Sequence, residues 1–213
     1  IDELVEELRK TADYDQRRDD IRAWNLTSSV LKRGIALTPV KFGISFTATW
    51  YNQAGALVHV YKDGSIHLSH GGTEMGQGLY IKVAQVVASA FQVDLERVKV
   101  SATRTDKVPN TSPTAASSGS DLNGMAALDA CEKILAGLTD FAVQNWSVSP
   151  EAIHFSDNQV QIGDLQMPWE SFVQAAYMNR VPLSSSGFYA TPKIHYDPES
   201  GKGHPFLYYS NGA

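Results

Sequence analysis

Residues 56–79, ALVHVYKDGSIHLSHGGTEMGQGL, constrain the fold more tightly than any other stretch. Two runs of alternating apolar and polar residues flank Asp63-Gly64, a pair suited to the positive φ angles of a tight hairpin turn. Four glycines, Gly71, Gly72, Gly76 and Gly78, then fall within eight positions. Beyond them Leu79, Val83, Val86, Ala90 and Phe91 recur at helical spacing, and RVKVSA returns to a strand pattern. The order is hairpin, glycine loop, helix, strand.

A second loop-then-helix unit follows. NTSPTAASSGSD is a small-residue loop, and past it Leu128, Cys131, Leu135 and Leu138 define an apolar helical stripe. EAIHFSDNQVQIG predicts a hairpin around Ser156 to Asn158. MPWESFVQAAYMN predicts a helix with Pro168 near its first turn, where a missing amide donor does little harm. Upstream, residues 1–33 alternate charge and apolar groups as solvated helices do. GIALTPVKFGISFTATW predicts a strand with Phe42, Ile44 and Phe46 on one face. The fold class is α+β, with mixed hairpins and helices and no regular βαβ alternation. Three segments are expected: a helical 1–33, a core at 34–146, and an α+β piece at 147–213 continuing into a missing C-terminal part. The start at Ile1 and the stop within an apparent strand are read as a fragment of a longer chain.

A length of 213 residues with 43% hydrophobic composition supports a sizeable core. Eighteen basic residues against 23 acidic ones, with no basic stripe, exclude a primary nucleic-acid role. No apolar run approaches a bilayer span, and the N-terminus is unlike a signal peptide, so no membrane role is expected. Cys131, the single cysteine, fits a reducing, cytoplasmic setting and reads as core.

A helix start presents unpaired N–H groups and a partial positive charge, so small residues before it let an anion approach. Gly71, Gly72, Gly76 and Gly78 suit one such site; Ala115, Ala116, Ser117, Ser118, Gly119 and Ser120 suit another. Together the loops suit one large, polar, phosphate-bearing ligand; glycines before helices also serve simply as turns. GGTEMGQG has neither a Walker A lysine nor dinucleotide spacing. His67 and His70 point to opposite faces of one strand without a zinc-ligand spacing, and His59 reads as a sheet residue. Glu74 is either an acid–base group or a carboxylate held by the helix dipole.

TPVKFGISFT, NQAGALVHVYKDGSIHLSHGGTEMGQGL and VPNTSPTAASSGSDLNG, in that order, resemble the molybdenum-binding part of the xanthine dehydrogenase/aldehyde oxidase family. Within it, the segments resemble the molybdenum subunit of the bacterial xanthine dehydrogenases. The resemblance implies part of a molybdopterin-binding domain in an oxidoreductase that hydroxylates a purine or aldehyde, turning hypoxanthine and xanthine toward urate with oxygen from water. It implies that Met75, Gly76 and Gln77 line one side of the pterin cofactor, and Ala115, Ala116, Ser117 and Ser120 the other. Ala116 would place its backbone beside molybdenum. Phe46 would pack on a planar substrate, with Thr47 offering a hydroxyl; periodicity alone makes Phe46 a core residue. The family's glutamate base has no matching motif here, so no catalytic residue is expected in this chain and the chain alone should be inactive. Iron–sulfur clusters and FAD are expected on other domains or subunits of a dimeric assembly. The alternatives are an aldehyde oxidase-like enzyme and a non-enzymatic nucleotide- or phosphate-binding module using both helix starts.

Overall fold

The computed structural model describes residues 1–108 and 110–213. They form two compact units, Ile1–Ile44 with Phe206–Ala213, and Ser45–Pro205.

In the first unit, α1 (Asp2–Thr11) and α2 (Tyr14–Thr27) carry acidic residues in their first turns, where the helix dipole favours them. Strand β1 (Val40–Ile44) pairs antiparallel with β11 (Tyr208–Gly212), matching Phe42 to Ser210. The long strand expected through Phe46 does not form. The strand ends at Ile44, and Ser45 after it takes a φ of 147°, so Phe46 is not part of the ladder that holds Phe42 and Ile44. A 3-10 turn at Thr49–Tyr51 follows instead.

The second unit is built on a four-stranded sheet in the order β4 (Val98–Val100), β3 (Ile66–His70), β2 (Gln53–Val60), β8 (Ser184–Ala190). The Asp63-Gly64 hairpin joins β2 to β3, pairing Val60 with Ile66. Only Gly64 has positive φ, 81°, and its N–H donates to Tyr61 O at 2.8 Å. The loop is therefore a three-residue turn ending in a left-handed glycine, one residue longer than the tightest form. Helix α3 (Leu79–Phe91) connects β3 to β4, which run parallel, so one βαβ crossover is embedded in an otherwise antiparallel sheet.

Helix α4 (Gly119–Trp146) lies on the sheet and against α3. Ala126, Ala127 and Ala130 keep its inner face thin. At β8 the approach is so close that a Cβ on Gly187 would sit 1.9 Å from Ala126 O and 2.6 Å from Ala130 N. The stripe read from sequence is half right: Cys131 and Leu138 are fully buried, whereas Leu128 and Leu135 are only half-buried. The helix ends at Ser147 with φ 55°.

Beyond α4, β5 (Ile153–Ser156), β6 (Gln159–Ile162) and β7 (Leu165–Pro168) form a meander. Asp157 and Asn158, both at positive φ, make its first turn where the sequence placed it. Helix α5 (Trp169–Met178) starts directly after Pro168. Its Trp169 and Phe172 pack with Phe91, Phe141, Trp146 and Phe155, and Trp169 Nε1 donates to Gly64 O at 2.9 Å. A short hairpin of β9 (His195–Asp197) and β10 (Lys202–His204) completes the unit. No helix among the described residues is long and apolar enough to cross a membrane.

Candidate functional site

The two small-residue loops meet. Thr73 N–H, in the glycine loop, donates to Thr114 Oγ1, in the second loop, at 2.9 Å. Two residues earlier, Gly71 lies so close to Thr111 that a Cβ there would be 2.0 Å from Thr111 Oγ1. Gly72 is similarly hemmed in by Leu79 and Asn123, whose atoms a Cβ would approach to 2.6 and 2.8 Å. Beneath the junction the space enclosed by Gln53, Ser112, Thr114, Gly119 and Asn123 is only about 10 Å³. That space has room for about one water and none for a ligand of pterin size.

The glycine loop satisfies its own helix start. Glu74 Oε1 accepts Gly76 N–H at 2.8 Å and Gly78 N–H at 3.0 Å, and Oε2 accepts Tyr80 N–H at 3.1 Å. Those bonds, that from Tyr80 foremost, hold the carboxyl below the ordinary glutamate range. The anion at the start of α3 is thus this side chain, the dipole-held alternative of the sequence reading. Gln77 braces the same loop, accepting Met75 N–H at 2.6 Å and donating to Thr73 O at 2.9 Å. Met75 and Gly76 are left pointing outward: Met75 is 66% exposed, and the Cβ direction of Gly76 meets nothing within 4 Å.

The start of α4 is built the opposite way. Its N-cap, Ser118, makes no side-chain cap, its hydroxyl donating backward to Ala115 O at 3.0 Å. Before it, Ala116 and Ser117 both take left-handed φ, 53° and 54°. Two successive non-glycine residues in that region store about 1–3 kcal/mol each, strain of the kind that gathers at binding sites. Ala115, Ser117 and Ser120 are exposed and Ala116 is half-buried. A 28-residue helix thus presents uncapped N–H groups behind a lip of methyls and hydroxyls.

The start of β2 links this region to the residues expected at the substrate. Ser112 Oγ donates to Gln53 O at 3.1 Å and Asn110 Nδ2 to Gln53 Oε1 at 2.9 Å. The preceding residue, Asn52, bonds Phe46 through its side chain. Phe46 is half-buried and Thr47 exposed. The sequence alone does not single out Asn52 and Gln53, and it shows Thr73 and Thr114 only as members of the two loops; the local signal for the first pair is an Asn-Gln step at the entry to β2.

His70 supports the glycine loop from below. Its Nδ1 accepts Gly72 N–H at 3.1 Å, its ring meets Tyr80 edge-on at 5.3 Å, and Nε2 has no partner among the described residues. Burial pushes its pKa down to about 4, so the imidazole is neutral. Burial also pushes the Cys131 thiol up to about 12, with Glu132 adding to it, which agrees with a core residue.

A family model for the molybdopterin cofactor-binding domain matches residues 7–213. The chain belongs to the molybdopterin cofactor-binding domain family. It is 45% identical over 98% of its length to a xanthine dehydrogenase/oxidase of Felis catus, covering 14% of that protein. Against a xanthine dehydrogenase of Oryza sativa subsp. japonica it is 45% identical over 100% of its length, again 14% of the relative. With one of Dictyostelium discoideum the identity is 46% over 98% of the chain and 14% of the relative. This molybdopterin-binding chain thus spans about a seventh of the length of those relatives. In fold it is similar to a Cu,Mo-CO dehydrogenase, with TM-score 0.73 and 17% identity over 90% of this chain and 26% of that one. The same holds for the aldehyde oxidoreductase of Desulfovibrio gigas, at TM-score 0.71 and 18% identity over 98% of this chain and 20% of that one. Those likenesses agree with the mixed α+β class read from the sequence.

The residues fit a large phosphate-bearing pterin. The start of α4 lacks a side-chain cap, although Asp121 lies in its first turn; small side chains at 115–117 leave the backbone accessible, and Gln77 keeps one amide hydrogen for a second partner. Among the described residues, no group of three or more His, Cys, Asp or Glu side chains is gathered to hold a metal. A metal carried by the pterin's own sulfurs needs none.

Proposed function

We propose that this domain supplies one part of the cofactor cradle and one wall of the substrate pocket in a xanthine dehydrogenase-type molybdenum hydroxylase. The parent enzyme oxidises hypoxanthine and xanthine toward urate with water as the oxygen source. The observation that carries the reading is the Thr73–Thr114 junction, which joins the glycine loop to the loop before α4. Identity of about 45% to xanthine dehydrogenases supports the purine substrate.

When bound, the molybdenum–pterin group supplies the two-electron redox centre at which a substrate carbon is hydroxylated. The chain's own residues bind and orient. Met75, Gly76 and Gln77 face one edge of the pterin, with the second Gln77 amide hydrogen donated to it. Ala115, Ala116, Ser117 and Ser120 face the other, where backbone N–H groups, the Ser120 hydroxyl and the α4 dipole offset phosphate charge. The Ala116 backbone would help hold the group beside its molybdenum, where a single methyl takes little room. The Phe46 ring packs on the planar substrate while the Thr47 hydroxyl orients it. The general base, the iron–sulfur clusters and FAD belong to other segments or subunits of a dimeric, cytoplasmic parent.

Glu74 weighs against the rival phosphate-binding module, because it occupies one of the two helix starts that module needs. Molybdenum and pterin analysis of the full-length parent, with steady-state assays on xanthine and an aromatic aldehyde, tests the proposal. Stoichiometric metal and a higher kcat/KM for xanthine are expected. A parent that takes up no molybdenum under cofactor-replete expression contradicts the cradle, and a preference for aldehyde contradicts the purine assignment.

A further inference from the structure

Phe46 lies in no regular element: β1 ends at Ile44, Ser45 turns the chain at φ 147°, and the 3-10 turn begins only at Thr49. Such a segment has no ladder to fix it. A substrate-facing ring nevertheless has to be held within a fraction of an ångström of its working position. One side chain does this. Asn52 Oδ1 accepts Phe46 N–H at 2.8 Å, and Asn52 Nδ2 donates to Phe46 O at 2.8 Å and to Thr49 O at 3.3 Å. The carboxamide thus pairs with both backbone groups of one residue, as a neighbouring strand would.

Asn52 is itself firmly seated. It is 2% exposed, its N–H donates to Thr49 O at 3.1 Å, and its O accepts Thr191 N–H at 2.9 Å, just past the end of β8. The sheet therefore holds Asn52, and Asn52 holds Phe46, whose ring meets Tyr51 at a centroid distance of 5.4 Å. Gln53, the next residue, anchors the loop before α4 through Ser112 and Asn110. Consecutive side chains thus fix the candidate substrate wall and the candidate cofactor loop.

We propose that Asn52 is the positioning residue for Phe46, setting the ring that meets the planar substrate; this rests on the reading of Phe46 as a wall of the substrate pocket. A carboxamide is required because it offers a donor and an acceptor in one plane. An aspartate of the same shape keeps the acceptor and sets an anion against the Phe46 and Thr49 carbonyls. Alanine leaves both Phe46 backbone groups without this partner.

The test is a double-mutant cycle in the full-length holoenzyme with Phe46→Ala, Asn52→Ala and the double variant. It is read as kcat and KM for xanthine, the inhibition constant of urate, and amide hydrogen exchange of residues 45–52. Asn52→Ala is expected to raise KM and the urate constant about tenfold, with kcat changed less than about threefold. Exchange should rise in 45–52 and stay low in 53–60. In the Phe46→Ala background the same change should add less than about twofold, since its effect runs through the ring. Should Asn52→Ala fail to accumulate, Asn52→Asp is read in the same cycle. An Asn52 effect undiminished by loss of the ring, or unchanged KM and exchange on Asn52 substitution while Phe46→Ala raises KM, overturns the proposal alone. Unchanged KM in Phe46→Ala overturns the wall itself, and the proposal with it.

Discussion

Gly71→Ala forces the two loops apart, and the structure sets how far. Gly71 does not have a left-handed φ, so alanine suits its backbone. With open space around it, the substitution would stabilise by about 0.4–1 kcal/mol through the unfolded chain. The space is not open. A Cβ at Gly71 would lie 2.0 Å from Thr111 Oγ1, 2.4 Å from Cγ2 and 2.7 Å from Cβ. Rotating the threonine can vacate only one of the two positions that Oγ1 and Cγ2 now fill, because three staggered sites hold two heavy atoms, and it leaves the Cβ contact, which is fixed to the backbone. Ordinary contact begins near 3.4 Å, so the backbones must separate by at least about 0.7 Å (3.4 − 2.7). Overpacking of that size destabilises by about 1–3 kcal/mol, reversing the sign expected from entropy alone. The melting temperature should fall by about 2–12 °C, and Thr111→Gly should restore most of it in the double variant. Thermal unfolding of the four proteins in the cycle measures this. A Gly71→Ala protein as stable as the parent, or additive effects of the two substitutions, refutes the close approach.

Gly187→Ala should be harsher, because the Cβ would meet Ala126 O at 1.9 Å and helix backbone cannot rotate away. A loss of about 3 kcal/mol or more is expected by thermal unfolding, and a loss under about 1 kcal/mol contradicts the helix–sheet contact. His70 makes stability depend on pH. Its folded pKa is about 4 against an ordinary 6.5, so between those values the unfolded chain binds a proton that the native state does not. The stabilisation, about 3 kcal/mol, is complete above pH 6.5 and is lost as pH falls to about 4. His70→Asn offers an acceptor to Gly72 without titrating, and denaturant unfolding across pH 4–7 should show a flatter profile. An unchanged slope contradicts the burial of a neutral imidazole.

What the sequence shows and hides follows from the range of the interactions. The Asp63-Gly64 and Asp157-Asn158 turns, both helix starts and the helix after Pro168 are written in residues a few positions apart, and each formed. The single-strand reading of Phe42 to Phe46 failed because alternation alone carries no mark of the break at Ser45. The Thr73–Thr114 bridge spans 41 positions, and nothing local to either threonine announces it. The division of labour between the helix starts was only half legible. Glu74 could be recognised as a carboxylate suited to a helix start, but its grip on Gly76, Gly78 and Tyr80 depends on the loop's folded path. The left-handed backbone of Ala116 and Ser117 is invisible in two residues with no preference for it.

The most direct test of the cradle compares the two ends of α4 in the full-length parent. Ala116→Val and Ser147→Val each place a β-branched residue at a left-handed position, with φ of 53° and 55°, and so impose similar backbone strain. Molybdenum and pterin per protomer, measured on purified protein beside the melting temperature, should fall severalfold for Ala116→Val and stay near the parent value for Ser147→Val. Equal cofactor content in the two variants, at equal stability, would contradict a cofactor site at the start of α4.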